Sequence, residues 1–397
     1  MKRLTYILAL LLLLPAPSQA QMLEAIVGGG SVAPVPVTLV PLGMYNQVAN
    51  GGTNLYFGAF NVNTTKSSAD IGSPIGGTIT GMYVTSDLAA GAGTTVVHLY
   101  VGASDAANCT IANAAFSCSA TGLSVALNRG DLIAGKIITN SAAAYTQFGM
   151  YLRVSGDSGT TLLFNTSVGI AAAGRQFFIP GTVQTSEASA SLASPVGGTV
   201  TELYVNSNVV SAGAGSPVNF NVLTSPQATC TIASGAKSCT ATGLTGSVAP
   251  GNVVDGNATN NGATTTVYGI LARIEGAGAV ALQMFGARTI ANASTGYISL
   301  PSESATEANV EAGSPISGTV TAIYARSFAN ATGTGSVITL NIAGSPSAVT
   351  CTIASGAQAC SATGFTTALT TGQGISTKVV STATTNYAVW YRVEGAN

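Results

Sequence analysis

The sequence predicts an all-β protein of three tandem antiparallel β-sandwich domains of the jelly-roll kind. The chain repeats itself with a period of 120 or 121 residues, as the tyrosines at 83, 204 and 324 show. Strand patterns recur within each copy, with no helical periodicity between them, and each copy carries one pair of cysteines with the same spacing. A repeat of this length is long enough to form a domain with its own core.

Several motifs define the repeat. The segment "SPIGGTITGMYV" from Ser73 returns as "SPVGGTVTELYV" from Ser194 and as "SPISGTVTAIYA" from Ser314. Each copy also ends on a related segment, "MYLRV", "ILARI" or "WYRV". We therefore expect three domains, over residues 37–158, 159–277 and 278–397.

Eight strand patterns are visible in the first copy. They are "VTLVPLGM", "NLYFGAF", "GTITGMYV", "TTVVHLYVG", "CTIA", "FSCSA", "DLIAGKIIT" and "YTQFGMYLRV". In the last of them, apolar side chains alternate with Tyr151 and Arg153, which is typical of a half-buried antiparallel strand. Eight such strands favour a jelly roll. An immunoglobulin-like sandwich is the alternative, but its Cys…Trp…Cys spacing is absent.

The first 36 residues predict export. The segment "MKRLTYILALLLLLPAPSQA" has a charged start, a short apolar run and a small-residue end, so residues 1–20 are expected to be a signal peptide. Residues 21–36 are rich in Gly and Pro and are expected to be a flexible leader. No later apolar run reaches the ~18 residues of a spanning helix. The expected location is therefore secreted, extracellular or periplasmic, with no membrane span in the mature chain.

The composition excludes several classes of partner. Charged residues make up 7% of the chain, against ~25% in an average protein. No basic stripe is present that could bind nucleic acid, and no polybasic patch that could bind anionic lipid. Because weakly charged surfaces associate readily, we expect assembly or packing against other chains.

The cysteines are expected to form one disulfide in each copy, since the chain is exported and has no cysteine outside the pairs. The pairs are Cys109 with Cys118, Cys230 with Cys239, and Cys351 with Cys360. Their spacing suggests a β-hairpin with a two-residue turn at 113–114 and its equivalents. Closing a loop of ~10 residues stabilises a domain by roughly 2.5–3 kcal/mol. Phe116, Lys237 and Gln358 differ at the position after the turn, which predicts an exposed rim or a bulge there.

No catalytic, metal or cofactor site is predicted. Zinc sites need cysteine and histidine sets with shorter gaps, and His98, in a strand pattern, is the only histidine. No acidic residue recurs in all three copies: Glu275 and Glu394 correspond to each other, but Ser155 takes their place in the first copy. A repeated acid–base pair or calcium cage is therefore not indicated.

Arg153, Arg273 and Arg392 do recur in all three copies. They are candidate contact residues for a ligand carboxylate or another subunit. The simpler interpretation is an arginine that lies across the sheet with its stem packed. The tripeptide "RGD" at 129–131 resembles an integrin-recognition motif, but a turn before the next strand explains it without a partner.

The motifs "SPIGGTITGMYV", "CTIANAAFSCSATGLSVAL" and "MYLRV" together resemble a jelly-roll module of phage tail-fibre and virion-surface proteins and of uncharacterised secreted bacterial proteins. The resemblance covers nearly the whole mature chain. Related jelly rolls of the tumour-necrosis-factor and complement C1q type assemble as trimers, so the resemblance implies trimeric packing as one arrangement. The signal peptide departs from the pattern of phage structural proteins.

These observations predict a secreted, non-enzymatic structural or adhesive surface protein. A carbohydrate-binding, lectin-like protein and a phage-derived receptor-binding protein are the alternatives. The partners expected are a glycan or cell-surface molecule, or further copies of the chain as a homo-oligomer. Within one chain, the three domains could form a string or close into an intrachain pseudo-trimer, and the sequence leaves both open.

Overall fold

The computed structural model describes residues 35–397, except 50–53, 60–61, 87–92, 140–144, 167–168, 172–173, 181, 262–263, 265, 286–288 and 300–302. The expected signal peptide, and the leader up to residue 34, lie outside the described residues.

Strands repeat in the same order in all three copies. In the first copy they are β1 (Val37–Ala49), β2 (Asn54–Phe57), β3 (Val62–Asn63), β4 (Ile71–Gly72), β5 (Gly77–Ser86), β6 (Thr95–Val101), β7 (Ser104–Ile111), β8 (Ser117–Leu127), β9 (Leu132–Thr139) and β10 (Tyr145–Ser155). In the second they are β11 (Thr160–Asn165), β12 (Arg175–Ile179), β13 (Thr182–Gln184), β14 (Leu192–Ala193), β15 (Gly198–Ser207), β16 (Ser216–Val222), β17 (Ser225–Ile232), β18 (Ser238–Val248), β19 (Val253–Thr259) and β20 (Tyr268–Glu275). In the third they are β21 (Ala279–Phe285), β22 (Ser294–Ile298), β23 (Glu303–Ser304), β24 (Ala312–Gly313), β25 (Gly318–Ser327), β26 (Ser336–Ile342), β27 (Ser345–Ile353), β28 (Ala359–Leu369), β29 (Gly374–Ser381) and β30 (Tyr387–Glu394). Single turns of 3-10 helix lie at Lys66–Ser68, Glu187–Ser189 and Glu307–Asn309.

Each copy is a two-sheet sandwich with jelly-roll order. In the first copy the inner sheet runs β1-β10-β5-β8, and the outer sheet runs β3-β2-β9-β6-β7, with β4 also paired to β9. Counting the eight main strands, the orders are 1-8-3-6 and 2-7-4-5, the double Greek key of a jelly roll. The other copies repeat this order. The predicted fold class, three tandem antiparallel jelly-roll-like sandwiches, is confirmed.

The described side chains of three of the four strands in each inner sheet are largely buried on both faces, which differs from the half-buried strand expected at 145–154. The edge strands β8, β18 and β28 keep exposed side chains. All described side chains of β11 and β21 are buried, and β20 is buried up to its last residue. Met150 and Leu152 face the core of the first copy, while Tyr151, on the other face, is still only 7% exposed. The second face is buried because it packs against another copy.

The three copies close around a common centre within the compact unit Pro36–Asn397. Strands β1, β11 and β21 contact one another there. Around the periphery, β15 of the second copy contacts β4 of the first, β25 of the third contacts β14 of the second, and β5 of the first contacts β24 of the third. These contacts form a closed cycle, so the arrangement is an intrachain pseudo-trimer rather than a string of domains. We call the boundary between two copies a seam, and we name the three boundaries the 1–2, 2–3 and 1–3 seams.

The seams bring backbones very close together. A Cβ added to Gly269, in the second copy, would lie 1.9 Å from the carbonyl oxygen of Ala59 in the first. A Cβ added to Gly72 would lie 2.3 Å from the Tyr204 ring across the same seam. Glycine is needed at both positions because a side chain would push the copies apart.

Candidate functional site

The disulfides join the two sheets of each sandwich. The bonded pairs are those named from the sequence, with Cα–Cα distances of 5.8, 6.0 and 5.9 Å in chain order. Strand β7 pairs with β6 in the outer sheet, whereas β8 pairs with β5 in the inner sheet. The predicted hairpin between the cysteine strands is therefore wrong. Each disulfide instead ties one sheet edge to the edge of the other sheet.

The two-residue turn predicted at 113–114 is present in the structure, although the predicted hairpin is not. The N–H of Ala115 donates to the carbonyl of Ala112 at 3.0 Å, and the other copies have the equivalent bond. Gly235 and Gly356 both have φ of 81°, the left-handed conformation that glycine adopts freely. A tight turn fits a crossover between sheets as well as a hairpin, so the spacing alone could not separate the two.

Removing one disulfide should test its contribution. Replacing Cys351 and Cys360 together with alanine should lower the free energy of unfolding by roughly 2.5–3 kcal/mol, the entropy cost of an open loop of this length. Denaturant titration of both proteins under oxidising conditions measures the difference. Equal stabilities would contradict a stabilising role for the bond.

In the second and third copies, the position after the turn that differs among the copies lies at a seam. The Nζ of Lys237 donates to Ser68 Oγ of the first copy at 2.7 Å. In the third copy, Gln358 Oε1 accepts from Arg326 at 2.8 Å, and the same guanidinium donates to the carbonyl of Ser191 in the second copy at 2.6 Å. Lys237 therefore contacts another copy directly and Gln358 does so through Arg326, and both are partly buried rather than on an exposed rim.

The three recurring arginines lie on the inner-sheet face that meets a neighbouring copy. Arg273 is 1% exposed and donates to Asp157 Oδ1 at 2.6 Å and to Glu275. Arg392 donates to Glu394 at 2.7 Å and to the carbonyl of Pro195 in the second copy at 3.3 Å. Arg153 has no hydrogen-bond or ion-pair partner for its side chain among the residues that the structure describes.

Asp157 is the centre of the 1–2 seam. Its carboxylate accepts from the N–H groups of Gly76 and Gly159 at 3.0 and 2.8 Å, and from Arg129 Nε at 3.3 Å. Burial raises the pKa of Asp157, but these backbone bonds and the Arg273 guanidinium outweigh it and hold the pKa below its ordinary value. The carboxylate is therefore charged and links the first copy, the connecting segment and the second copy.

The "RGD" tripeptide is part of this network. Arg129 reaches Glu202 at 3.7 Å and Glu275 at 3.8 Å as well as Asp157. Asp131 Oδ2 accepts from the N–H of Asn128 at 2.7 Å, closing the turn before β9. Sequence reasoning identified the turn but missed Asp157, whose connecting segment has no acidic counterpart between the second and third copies.

A buried carboxyl group, that of Asp255, lies inside the second copy. Asp255 is 1% exposed, and its Oδ1 accepts from Asn221 at 2.9 Å. Burial, together with the neighbouring Glu187 carboxylate, raises the pKa of Asp255 to about 8. In the third copy, Ser376 occupies the position of Asp255 and donates to Glu307 at 2.7 Å. The second copy therefore has a buried carboxyl group at the position where the third copy has a serine hydroxyl.

The raised pKa of Asp255 predicts a pH-dependent stability. A carboxyl with a raised pKa takes up a proton on folding, so its contribution weakens as pH rises from about 4 towards 8. Replacing Asp255 with asparagine should stabilise the protein at pH 8 by on the order of 1–3 kcal/mol, and by much less at pH 4. Denaturant titration at both pH values measures the change. A change in stability that is the same at both pH values would contradict the raised pKa of Asp255.

The outer face of the first copy carries a partly exposed aromatic and cationic cluster. Tyr56 and Tyr100 meet edge to face, with ring centroids 5.9 Å apart. Lys136 lies 5.5 Å over the Tyr56 ring, and Lys66 lies 5.8 Å over the Tyr100 ring. His98 Nδ1 lies 2.7 Å from Asp105 beside them. We call Tyr56, Tyr100, Lys66 and Lys136 the tyrosine face.

The sequence contains a signal for this face in the alternation of its strand patterns. Tyr56 lies between Leu55 and Phe57, which are buried, so strand alternation turns it outwards. Tyr100 follows Leu99 in the same way. Because half of the positions of an antiparallel strand can face solvent, alternation within a strand pattern indicates which of its aromatic residues are exposed.

Comparisons with known proteins place the chain in no family. No family model matches, and no curated protein matches the sequence. Among solved structures, the chain is similar to the major capsid protein P2 of bacteriophage PM2, with 10% sequence identity and a TM-score of 0.20 over 60% of this chain and 97% of that chain. At this TM-score the likeness adds nothing to the fold that the strand order establishes.

Two further observations concern the described residues alone. None of their helical segments is long and apolar enough to cross a membrane. They also contain no group of three or more His, Cys, Asp or Glu side chains placed to hold a metal ion.

Proposed function

We propose that this protein is an exported, non-enzymatic structural and adhesive protein whose single chain forms a pseudo-trimeric head. The observation that carries this proposal is the closed cycle of seams, which uses one face of every inner sheet for packing between copies. The outer sheets are left as the accessible faces. This is also the arrangement implied by the resemblance to trimeric jelly rolls.

Export is supported by the cysteines. The chain has three disulfides, and such bonds are rare in cytosolic proteins but common in the periplasm and the extracellular space. The test is to express the full chain in a bacterial host and alkylate free thiols during lysis. We expect all six cysteines to be protected and the protein to be outside the cytoplasm. A cytoplasmic protein with reactive thiols would contradict export.

The adhesive role is assigned to the tyrosine face, and the ligand class to carbohydrate. Neighbouring tyrosine rings offer flat apolar surface for sugar rings, and the hydroxyl and ammonium groups beside them supply donors for sugar oxygens. The equivalent faces differ: Asn221 and Asn341 replace Tyr100 in the second and third copies. One copy of three would therefore carry the binding site.

A glycan array tests this role with matched variants. The wild-type protein should bind a subset of glycans, and Tyr56→Ala or Tyr100→Ala should lose that binding. Tyr297→Ala changes the equivalent tyrosine of the third copy and should leave binding intact. Absence of binding by the wild-type protein, or equal loss with Tyr297→Ala, would overturn the assignment.

A further inference from the structure

The tyrosine face differs from its equivalents in the other two copies at three neighbouring positions of the outer sheet. One position begins the 3-10 turn, one lies on β9 or its equivalent, and one lies on β6 or its equivalent. In the order of the copies, the residues are Lys66, Glu187 and Glu307; Ala134, Asp255 and Ser376; and Tyr100, Asn221 and Asn341. At these positions the first copy has a lysine and no acidic residue, whereas each of the other copies has at least one acidic residue.

The third copy shows what an acidic residue does at this place. Glu307 Oε1 accepts a hydrogen bond from Asn341 at 2.9 Å and another from Ser376 at 2.7 Å. Asn341 and Ser376 are cross-strand partners, as Tyr100 and Ala134 are in the first copy. The first copy therefore has an aromatic side chain where the third copy holds a carboxylate.

The charges beside the tyrosine face are paired except for one lysine. Asp70 accepts from Lys66 Nζ at 2.6 Å, and Asp105 lies 2.7 Å from His98 Nδ1. Lys136, by contrast, makes no ion pair or hydrogen bond with any residue that the structure describes. Its ammonium group therefore remains available to an anion.

Lys136 lies at the centre of the tyrosine face. In the register of the outer sheet it stands between Tyr56 on β2 and His98 on β6. Its ammonium group is 5.5 Å from the centre of the Tyr56 ring, and that ring is 5.9 Å from the Tyr100 ring. All four side chains of the face are partly exposed, so a ligand lies on an open sheet surface and needs no enclosed cavity. A sugar ring stacked on the tyrosines places its substituents beside the ammonium group.

We propose that the tyrosine face binds an acidic sugar, a pyranose that carries a carboxylate or a sulfate group, and that Lys136 binds the anionic group. The inference rests on the carbohydrate-binding role proposed above and narrows its ligand class. The Tyr56 and Tyr100 rings supply apolar contact to any sugar. Lys136 adds a charge-assisted hydrogen bond, which is stronger than a bond to a neutral hydroxyl group. The tyrosines thus provide affinity for sugars, and Lys136 provides the preference for charged ones.

Two matched pairs of probes test this preference by isothermal titration calorimetry. They are trigalacturonic acid with its methyl ester, and galactotriose with and without a 6-sulfate group. The wild-type protein should bind at least one charged probe about fivefold or more tighter than its neutral partner. Lys136→Gln should remove the preference without weakening binding of the neutral probe, and Lys136→Arg should retain it. Lys378→Gln, at the equivalent lysine of the third copy, is the matched control and should change nothing.

The remaining outcomes separate this inference from the role on which it rests. Equal affinity of the wild-type protein for charged and neutral probes, or a preference that survives in Lys136→Gln, would overturn the acidic ligand but leave the carbohydrate-binding role. Binding of no glycan at all would overturn both. If the preference is present, the tighter of the two charged probes identifies the anionic group. High salt should weaken the preference in the wild-type protein, which tests the charge without any substitution.

Discussion

Replacing Trp390 with alanine should lower the free energy of unfolding by about 3–5 kcal/mol, the range for a large buried aromatic side chain. Trp390 is fully buried, and it packs edge to face on Phe164 of the second copy, with ring centroids 5.6 Å apart. Its neighbour Tyr391 turns the other way and hydrogen-bonds to Thr377 within the third copy at 2.7 Å. The substitution therefore removes packing at the 2–3 seam rather than within one sandwich core.

Hydrogen exchange read by mass spectrometry is the measurement for this variant. Because the seam is shared, peptides of both the second and the third copy should exchange faster. Val380→Ala, at a side chain that is 41% exposed, is the control and should change little. Faster exchange confined to the third copy would contradict a shared core.

Replacing Asp157 with alanine should cost about 3 kcal/mol, the lower end of the range for a broken buried ion pair. Among the residues that the structure describes, it leaves Arg273, which is 1% exposed, with Glu275 as its remaining ion-pair partner. It also leaves the N–H groups of Gly76 and Gly159 without their acceptor. Asp105→Ala removes an exposed partner of His98 and serves as the control, with an expected change within about 1 kcal/mol.

The effect of Asp157 should depend on pH. Its pKa is lower in the folded protein than in the unfolded chain, so its contribution is complete above about pH 4 and is lost as pH falls through the folded pKa. The wild-type protein and Asp157→Ala should therefore converge in stability in acid. Denaturant titrations from neutral pH downwards measure this, and a constant difference at all pH values would refute the role of the charge.

The sandwich itself could be predicted because strand alternation and the repeat constrain each other. The segment expected at 77–84 is observed at Gly77–Ser86, and the one expected at 145–154 is observed at Tyr145–Ser155. The seams could not be predicted in this way. Tyr151, Leu271 and Trp390 occupy equivalent positions, but they share no chemistry that would show what covers them.

The candidate sites, too, could be predicted from the sequence only in part. The recurrence of Arg153, Arg273 and Arg392 was visible in the sequence, but their differing partners depend on Asp157 and on contacts between copies. The cysteine pairing was inferred from spacing, yet the same spacing fits a hairpin and a crossover between sheets. The tyrosine face requires Tyr56 and Tyr100 to meet across β9, a pairing that the sequence does not reveal.

Small-angle X-ray scattering of the purified protein tests most directly whether the three copies close into one body. For residues 36–397 as a single compact unit, we expect a radius of gyration of about 21 Å. Three separate domains joined in a string would give a value above about 30 Å. A value near 21 Å is the result that the closed cycle of seams predicts, and a value in the extended range would contradict it.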